Sequence, residues 1–471
     1  MRFFEVLIPV LLVVWLLWPL ITAKKRPLYI NLLPSAALIL TILHLVVDKY
    51  RWQMVPVYLF VLVAFVLSII DLIRPGGETF KRRSWASLGI MLSLLVLVLA
   101  VALPALLPVP KVPEPSGPYQ VGTVTLVLED SSRKELYSQD PDEARQFMIQ
   151  VWYPAAPPVG ALPAPWMEDA RIVAPAIAGW LGLPGFFLDH LELAHTSSYA
   201  GAPVERNGAP YPVLIFSHGW GGFRAQNTYQ VQELASHGYV VVGMEHPYGA
   251  VATVFPDGRV VYNNPGALPD GATEVEYDRA ARQLVDQWAG DMAFALDFLE
   301  QENTDDPEVF FAGALDLENV GVLGHSTGGG ATIQFCGTDE RCKAGLTMDA
   351  YMTPVSEGVL DNGAAQPFLF LFSEQWSKDT NDRLFERFYS HVTQPSRVLT
   401  ILGTAHFDFS DLPMLSPLAP QLGLKGPLNG ARVLSIINDY SLAFFDQYLK
   451  DISTTLLESS SPLYPEVQYD H

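Results

Sequence analysis

Four long apolar runs lie within the first 107 residues, and they restrict the possible fold more than any other feature of the chain. They cover residues 3–21, 28–47, 54–70 and 86–107. A helix that crosses a membrane needs about 20 mostly apolar residues. Helices of soluble proteins are rarely apolar on every side. Residues 1–107 are therefore predicted to form a transmembrane helical anchor with four spans.

The first apolar run has an alternative interpretation, because a cleaved signal peptide also begins with an apolar segment. Its basic residues, Lys24, Lys25 and Arg26, follow the run instead of preceding it, and no clear small-residue cleavage site follows. We therefore favour a span. Glu5 and His44 lie near the ends of runs, where interfacial water can hydrate them, and no transport role is assigned to them.

Basic residues between the runs predict the orientation of the anchor. If all four runs span, one side of the membrane has seven basic residues and the other has four. Loops rich in Lys and Arg stay in the cytoplasm, so the N-terminus and the large C-terminal region are expected outside it. The seven are Lys24, Lys25, Arg26, Arg74, Lys81, Arg82 and Arg83, and the four are Arg2, Lys49, Arg51 and Lys111.

The charge of the chain changes abruptly after the anchor. The first 115 residues hold 11 basic and 5 acidic residues, whereas the rest of the chain holds 18 and 45. Nucleic-acid binding is not expected, because phosphate contacts require clustered Lys and Arg. Residues 108–118 are rich in proline and predict an extended, semi-rigid stalk. Residues 119–471 then form the soluble domain.

The soluble domain alternates between short apolar strands and helices. This alternation is typical of an α/β fold in which helices cover both faces of a mostly parallel sheet. Strands are predicted at 147–153, 212–217, 239–244, 320–323, 344–348, 368–372 and 398–402, and helices at 225–236, 279–300 and 432–449.

Residues 155–204 interrupt the alternation. Trp166, Trp180, Phe186 and Phe187 occur there among Pro and Gly residues. Such an apolar insertion fits a lid or a lipid-facing wall of a binding site, and it fits an ordinary packed excursion over the sheet equally well. Both interpretations stay open at this point.

The chain has two cysteines, Cys336 and Cys342. Their spacing is compatible with a disulfide in an oxidising compartment and with two free thiols. No Cys/His cluster predicts zinc, and no metal or organic cofactor is expected.

A nucleophile motif lies in the middle of the soluble domain. Residues 324–328 read Gly-His-Ser-Thr-Gly, after a predicted strand and before a helical run. This G-x-S-x-G setting predicts the sharp turn that exposes a nucleophilic serine, here Ser326, in the α/β-hydrolase fold. A serine hydroxyl is a weak nucleophile until a base accepts its proton. His406 follows the last predicted strand and is expected to be that base.

Two carboxylates are candidates for the group that orients the histidine. Asp349 follows the strand after the nucleophile's helix, and Glu374 follows the next strand. Either strand end can deliver the acid, so the order of elements leaves Asp349 only slightly favoured. Asp408 and Asp411 are too near His406 in sequence to be favoured.

The oxyanion of a tetrahedral intermediate needs preorganised donors. The loop Ser217-His-Gly-Trp-Gly-Gly222 follows an early strand, where this fold supplies one backbone amide, and the residue after the nucleophile supplies the second. The backbone amides of Trp220 and Thr327 are therefore predicted to be the two oxyanion donors. His218 and His325 flank these motifs and are expected to pack in the interior without titrating.

At these residues the chain resembles the platelet-activating-factor acetylhydrolase family, the plasma-type group VII phospholipases A2. The most specific segment is Met348-Asp-Ala-Tyr-Met-Thr-Pro354, where that family carries its triad acid. The resemblance implies that Asp349 is the acid, His406 the base, and Trp220 and Thr327 the oxyanion donors. Other similar segments are Val151–Pro154, Leu214–Gly219, Phe223-Arg224, Leu234–Tyr239, Glu245-His246, residues 324–329, and Gly403 with Phe409.

The chain also departs from this pattern. Thr327 stands where the family often has Phe, and the N-terminal bundle is not part of the plasma-type pattern. The residues around Ser326 are also similar to cutinase-like polyester hydrolases, and the order of strands is similar to dienelactone hydrolases.

Together, these features predict a membrane-anchored serine ester hydrolase that acts on lipid or acetylated phospholipid-type esters through an acyl-enzyme. The alternatives are a broad short-chain or polyester esterase and, from a different class, a membrane sensor or scaffold with a hydrolase-like domain. No obligate protein partner is inferred.

Overall fold

The structure is a computed structural model that describes residues 1–22, 26–73, 83–304, 310–376 and 379–470. These residues divide into two compact units. The first consists of Met1–Pro110 with Leu415–Leu418, and the second of Lys111–Met414 with Ala419–His471.

The first unit is helical. Four of its helical stretches are long and apolar enough to cross a membrane, namely Phe3–Thr22, Leu28–Val47, Trp52–Ile73 and Ser87–Leu106. They match the four predicted runs, with ends that differ by a few residues. The individual helices are α1 (Phe3–Thr22), α2 (Leu28–Asn31), α3 (Leu33–Val47), α4 (Val55–Ile73) and α5 (Arg83–Leu106).

The orientation prediction rests in large part on residues for which the structure gives no description. Lys24, Lys25, Arg74, Lys81 and Arg82 lie outside the described residues.

Polar side chains near the helix ends of this unit pair with each other. Glu5 and His44 are fully buried, and His44 Nε2 lies 3.5 Å from Glu5 Oε1. Arg51 Nε lies 3.1 Å from the same oxygen, and the Arg51 guanidinium donates to the Pro104 carbonyl at 2.8 Å. The sequence suggested that interfacial water hydrates these groups. In the structure they form a buried cluster instead, and this cluster joins α1, α3 and α5.

In the described part of the second unit, eleven strands form one sheet in the order β13-β12-β11-β10-β9-β5-β6-β2-β1-β4-β3, and β7 pairs with β8 separately. The strands are β1 (Gln120–Lys134), β2 (Ala144–Ala155), β3 (Pro163–Pro165), β4 (His195–Ala200), β5 (Tyr211–Ser217), β6 (Val240–Glu245), β7 (Ala252–Val254), β8 (Val260–Tyr262), β9 (Leu315–His325), β10 (Cys342–Met348), β11 (Phe368–Ser373), β12 (Arg397–Ile401) and β13 (Val467–Tyr469).

The centre of the sheet is parallel, as predicted. Strands β6, β5, β9, β10, β11 and β12 pair in parallel with their neighbours. Each predicted strand corresponds to an observed one. The strands at the sheet edges and the β7–β8 hairpin were not predicted. Because the central strands run in the same direction, the carboxyl ends of β5, β9, β10 and β11 meet at one edge, where parallel sheets place their sites.

Helices cover both faces of the sheet. Helices α8, α9 and α11 pack on one face, and α7 and α12 pack on the other. In α8, Leu284, Trp288, Met292 and Leu296 recur every four residues and are fully buried, which is the pattern of a helix with one face on a core. The helices are α6 (Ala170–Trp180), α7 (Thr228–Ser236), α8 (Glu274–Glu302), α9 (Thr327–Thr338), α10 (Glu357–Asn362), α11 (Asp379–Tyr389) and α12 (Gly430–Leu449).

The insertion at 155–204 is packed in one part and exposed in another. Strands β3 and β4 extend the sheet beside β1, and Trp166 Nε1 donates to Asp411 Oδ2 at 2.9 Å. In contrast, Trp180 and Phe186 remain 45% and 54% exposed. The insertion therefore combines a fixed base with an apolar surface.

The end of the proline-rich segment is attached to the second unit. Ser116 N donates to Glu233 Oε2 at 2.9 Å, and Gly117 N donates to Ser236 Oγ at 3.0 Å. The proline-rich segment from Lys111 onward belongs to this unit. Elsewhere in this unit, a disulfide joins Cys336 and Cys342, which decides between the two alternatives for the cysteines.

Candidate active site

Ser326 lies at the sharp turn between β9 and α9. Its φ of 56° and ψ of −119° are unusual for a residue with a side chain and mark backbone strain. Ser326 N donates to Met348 O at 2.9 Å, and Ser326 O accepts from Gly330 N at 3.1 Å and Tyr351 N at 2.9 Å. These bonds hold a strand–turn–helix of the kind that presents a nucleophile.

The glycines of the motif permit close backbone approach at this turn. A Cβ atom at Gly324 would lie 2.2 Å from Gly328 O, and one at Gly328 would lie 2.2 Å from Ser217 O. Either contact is shorter than atoms tolerate, so both positions require glycine. The second contact shows that α9 begins directly against the end of β5.

Asp349 and His406 meet at the same edge of the sheet. Asp349 is fully buried after β10, and its Oδ2 lies 3.0 Å from His406 Nδ1. Ser373 at the end of β11 donates to this carboxylate twice, from its amide to Oδ1 and from its hydroxyl to Oδ2, each at 2.7 Å. The bound carboxylate fixes the imidazole, and Nε2 is the nitrogen that faces away from it.

Glu374, the other candidate acid, occupies a different position. Its side chain is exposed, and its Oε2 accepts from Gly403 N at 2.6 Å. Glu374 thus holds the start of the loop that leads to His406, whereas Asp349 contacts the imidazole itself.

The His406 ring is also held by other rings. It stacks on Trp376 with a centroid distance of 4.3 Å and an angle of 13°, and it lies 4.5 Å from the ring of His325. Stacked rings restrict rotation about χ2 of the histidine, so the imidazole has one favoured plane.

His325 binds the backbone of His406. Gln226 Nε2 lies 3.1 Å from His325 Nδ1, and since an amide nitrogen only donates, Nδ1 accepts. The proton is then on Nε2, which donates to His406 O at 3.0 Å. Burial lowers the pKa of His325 to about 3, so the ring stays neutral, as expected for a histidine that packs without titrating.

The loop that carries Trp220 runs beside the nucleophile. A Cβ atom on Gly219 would lie 3.2 Å from Ser326 Cβ. Gly222 N donates to Gly219 O at 2.8 Å, and Gly221 N donates to Gly249 O at 2.9 Å, so the loop is fixed on both sides of Trp220.

Thr327, whose backbone amide is the other predicted oxyanion donor, is the first residue of α9. Amides in the first turn have no acceptor within their helix, and the positive end of the helix dipole favours an anion there. The Thr327 amide therefore lies in the first turn of a helix that starts at the nucleophile.

Gln226 is a site residue that the sequence did not reveal. Its Oε1 accepts from Gly219 N at 3.1 Å, while its Nε2 contacts His325. One side chain thereby links the Trp220 loop to the histidine that holds His406. Ser373 and Trp376 are further site residues, and the sequence pattern around Glu374 does not indicate their contacts.

The insertion provides an aromatic wall at this site. A Cβ atom on Gly221 would lie 2.7 Å from Trp180 Nε1, and the Trp180 ring contacts Phe407 edge-on at a centroid distance of 6.0 Å. Trp180 therefore lies over both the Trp220 loop and the His406 loop.

Asp408 and Asp411 hold the backbone around the His406 loop. Asp408 accepts from the amides of Ala405 at 2.8 Å and Gly426 at 2.6 Å. Asp411 accepts from Thr228 N at 3.0 Å and so caps α7. Both carboxylates thus bind backbone amides.

The family model described as platelet-activating factor acetylhydrolase, isoform II, matches residues 107–456. The chain belongs to this family. The resemblance predicted from the motifs is thereby confirmed, and helices α1 to α5 precede the matched region.

Two known proteins are similar to this chain over most of their length. A platelet-activating factor acetylhydrolase of Cavia porcellus is 29% identical over 364 residues, which are 72% of this chain and 78% of that protein. A probable 1-alkyl-2-acetylglycerophosphocholine esterase of Arthroderma benhamiae is 26% identical over 400 residues, 76% of this chain and 93% of that protein.

The fold is shared with a solved esterase structure. A ferulic acid esterase from Streptomyces cinnamoneus matches with a TM-score of 0.64 and 26% identity, covering 77% of this chain and 100% of the other. The α/β-hydrolase fold and the class of enzyme, a carboxylic ester hydrolase, are therefore confirmed.

Proposed function

We propose that this family member is a membrane-anchored serine esterase with Ser326 as nucleophile, His406 as base and Asp349 as the acid that orients it. The observation that carries the proposal is the 3.0 Å contact between His406 Nδ1 and Asp349 Oδ2, made beside the strained turn of Ser326. Residues 1–107 are the anchor, 108–118 the stalk and 119–471 the catalytic domain.

The proposed reaction has two halves. Ser326 Oγ attacks the ester carbonyl carbon while His406 Nε2 takes the hydroxyl proton, and the amides of Trp220 and Thr327 bind the oxyanion. The leaving alkoxide takes the proton from His406, which leaves an acyl-enzyme. Water then attacks the acyl carbon, His406 again accepts the proton, and Ser326 leaves with it.

We infer that the substrate is a lipid ester of the acetylated phospholipid type, presented at a membrane surface. The names of the relatives support this class, and Trp180 supplies an apolar wall suited to hydrocarbon. The proline-rich stalk of residues 108–118 has 11 residues, which reach at most about 34 Å at roughly 3.1 Å each. The catalytic domain therefore stays close to the bilayer.

This substrate class predicts a preference for interfaces. The full-length protein in vesicles is expected to hydrolyse a bilayer-embedded 2-acetyl phospholipid at least about tenfold faster than p-nitrophenyl acetate at equal concentration, because the wall contacts acyl chains only in the lipid. Initial rates on both substrates, with a Trp180→Ala variant as comparison, measure this preference. Trp180→Ala is expected to lose rate on the lipid and to keep the rate on the small ester.

A second candidate is an esterase for diffusible substrates. The likeness to a ferulic acid esterase favours it, since that protein's named substrate is not a phospholipid. Equal or higher activity on soluble esters, together with no effect of Trp180→Ala on lipid hydrolysis, would reject the lipid class and leave the serine esterase mechanism intact.

We also propose that the catalytic domain lies outside the cytoplasm. The excess of basic residues on the opposite side of the predicted spans supports this orientation. The Cys336–Cys342 disulfide supports it independently, because disulfides persist in oxidising compartments.

The proposed orientation predicts that a protease outside the cell can reach the catalytic domain. In spheroplasts of an expressing bacterium, added protease is expected to digest the catalytic domain without lysis, since no membrane separates the protease from this domain. Immunoblotting against a C-terminal tag measures digestion, and a cytoplasmic protein serves as the integrity control. A domain that is protected until the cells are lysed would place it in the cytoplasm.

A further inference from the structure

Two buried histidines that the proposed mechanism does not use lie behind the Trp220 loop. His218 and His246 are fully buried, with ring centroids 5.3 Å apart. The His246 ring also stacks on Trp288 at 4.3 Å and 6°. Buried imidazoles need hydrogen-bond partners for both nitrogens. These partners show which nitrogen of each ring carries the proton.

The protonation of His246 follows from Asp291. Burial alone would raise the pKa of Asp291, but the Arg145 guanidinium and the bond from His246 outweigh it and hold the pKa below its ordinary value. Asp291 is therefore a carboxylate, and His246 Nδ1, 2.9 Å from its Oδ2, donates to it. Burial lowers the pKa of His246, so Nε2 carries no proton and accepts from Ser217 Oγ at 3.1 Å.

The tautomer of His218 follows from His246. The backbone amide of His246 donates to His218 Nε2 at 3.3 Å, so this nitrogen accepts. Burial lowers the pKa of His218 to about 3, and the neutral ring then has its proton on Nδ1. Nδ1 lies 2.7 Å from Gly219 O and donates to it.

The Gly219 carbonyl controls the direction of the Trp220 amide. The two groups belong to one planar trans peptide and point in opposite directions. Gly219 O accepts from His218 Nδ1 at 2.7 Å and from Gly222 N at 2.8 Å. Two donors at one carbonyl fix the plane of the peptide and thereby the direction of the N–H bond on Trp220.

We propose that His218 is a positioning residue for the oxyanion: through the Gly219 carbonyl it aims the Trp220 amide, and the backbone amide of His246 holds His218 in the tautomer that this requires. The inference rests on the proposed function, in which Trp220 supplies a donor. Oxyanion donors act only when they are already oriented before charge develops, so a buried hydrogen-bond chain behind the loop contributes to the rate without touching substrate.

Two isosteric variants test which nitrogen matters. In His218→Asn the amide nitrogen occupies the position of Nδ1 and can still donate to Gly219 O, whereas in His218→Gln it reaches toward the position of Nε2. With p-nitrophenyl acetate, kcat of His218→Gln is expected to fall about 10- to 100-fold with KM nearly unchanged, below the 10²- to 10³-fold cost of deleting a donor outright. His218→Asn is expected to retain most of kcat.

The second readout is an inhibitor that forms an oxyanion. Ser326 Oγ adds to the carbonyl carbon of an alkyl trifluoromethyl ketone while His406 takes the hydroxyl proton, and the adduct is a tetrahedral hemiketal anion. The Ki of this ketone is therefore expected to rise in His218→Gln by the same factor by which kcat/KM falls. A loss of packing alone would not couple the two quantities. His237→Asn, at the end of α7 and bonded to Glu233 at 3.1 Å, is the control and is expected to keep wild-type kcat and Ki.

Each outcome decides the question. Equal kcat for folded His218→Gln and wild type, equal losses in both variants, or a fall in kcat without a rise in Ki would overturn the positioning role. If His218→Gln does not fold, as judged by thermal unfolding, His218→Asn alone is tested, and a 10-fold loss there rejects it. Turnover by Ser326→Ala would instead reject the proposed function itself.

Discussion

Replacement of Ser326 by alanine is expected to lower kcat for ester hydrolysis by roughly 10⁶-fold, the effect of removing a triad nucleophile. The variant keeps the turn, because the hydrogen bonds that hold it involve the backbone of Ser326 with Met348, Gly330 and Tyr351. It loses the oxygen that forms the acyl-enzyme. The measurements are kcat on p-nitrophenyl acetate and covalent labelling by a fluorophosphonate, and both are expected to vanish while the melting temperature changes little.

A matched control separates this loss from a general effect of removing a hydroxyl. Ser390 is an exposed serine whose hydroxyl donates to Arg387 O at 2.8 Å, and Ser390→Ala is expected to keep both turnover and labelling. Near wild-type turnover by purified Ser326→Ala would remove the basis of the proposed mechanism, whatever the behaviour of the other variants.

The sequence was most informative where one local pattern determines one element. The apolar strands at 212–217 and 344–348 correspond to β5 and β10, because a strand covered on both faces must be apolar throughout. The glycines at 324 and 328 likewise report a local requirement, since their Cβ atoms would collide with backbone. Such features need no knowledge of distant contacts.

The site was less predictable where contacts join distant segments. Gln226 and His325 are 99 residues apart, and a glutamine beside a helix start carries no local sign of a role. The stacking of Trp376 on His406 likewise depends on how two loops meet. The choice between Asp349 and Glu374 also required a family motif, because both follow parallel strands and only the fold decides which one reaches the imidazole.

The insertion and the sheet edges were unpredictable for a related reason. Strand β3 has three residues, two of them proline, and it forms because β4 provides an edge. A short proline-containing strand has little intrinsic preference for an extended ladder. The fixed part of the insertion thus depends on tertiary pairing, which the pattern of Trp and Phe residues does not report.

Asp349→Asn is expected to lower kcat by about 10⁴-fold, the effect of the corresponding change in a serine protease triad. The neutral amide cannot stabilise the imidazolium that forms when His406 accepts the proton. If the amide nitrogen of the asparagine faces His406 Nδ1, it also favours the wrong tautomer of His406, because in the correct tautomer both groups would donate. Asparagine can still accept from Ser373 N, which donates to Asp349 Oδ1 at 2.7 Å in the wild type, so the fold is expected to survive.

Glu374→Gln is the matched variant, since it makes the same change of carboxylate to amide in the other candidate acid. Its amide oxygen can still accept from Gly403 N, the bond that Glu374 makes at 2.6 Å, and Glu374 is exposed to solvent. We therefore expect kcat within a fewfold of wild type. If kcat instead fell about 10⁴-fold in Glu374→Gln and hardly changed in Asp349→Asn, the acid would be Glu374, and the contact between Asp349 and His406 would be structural.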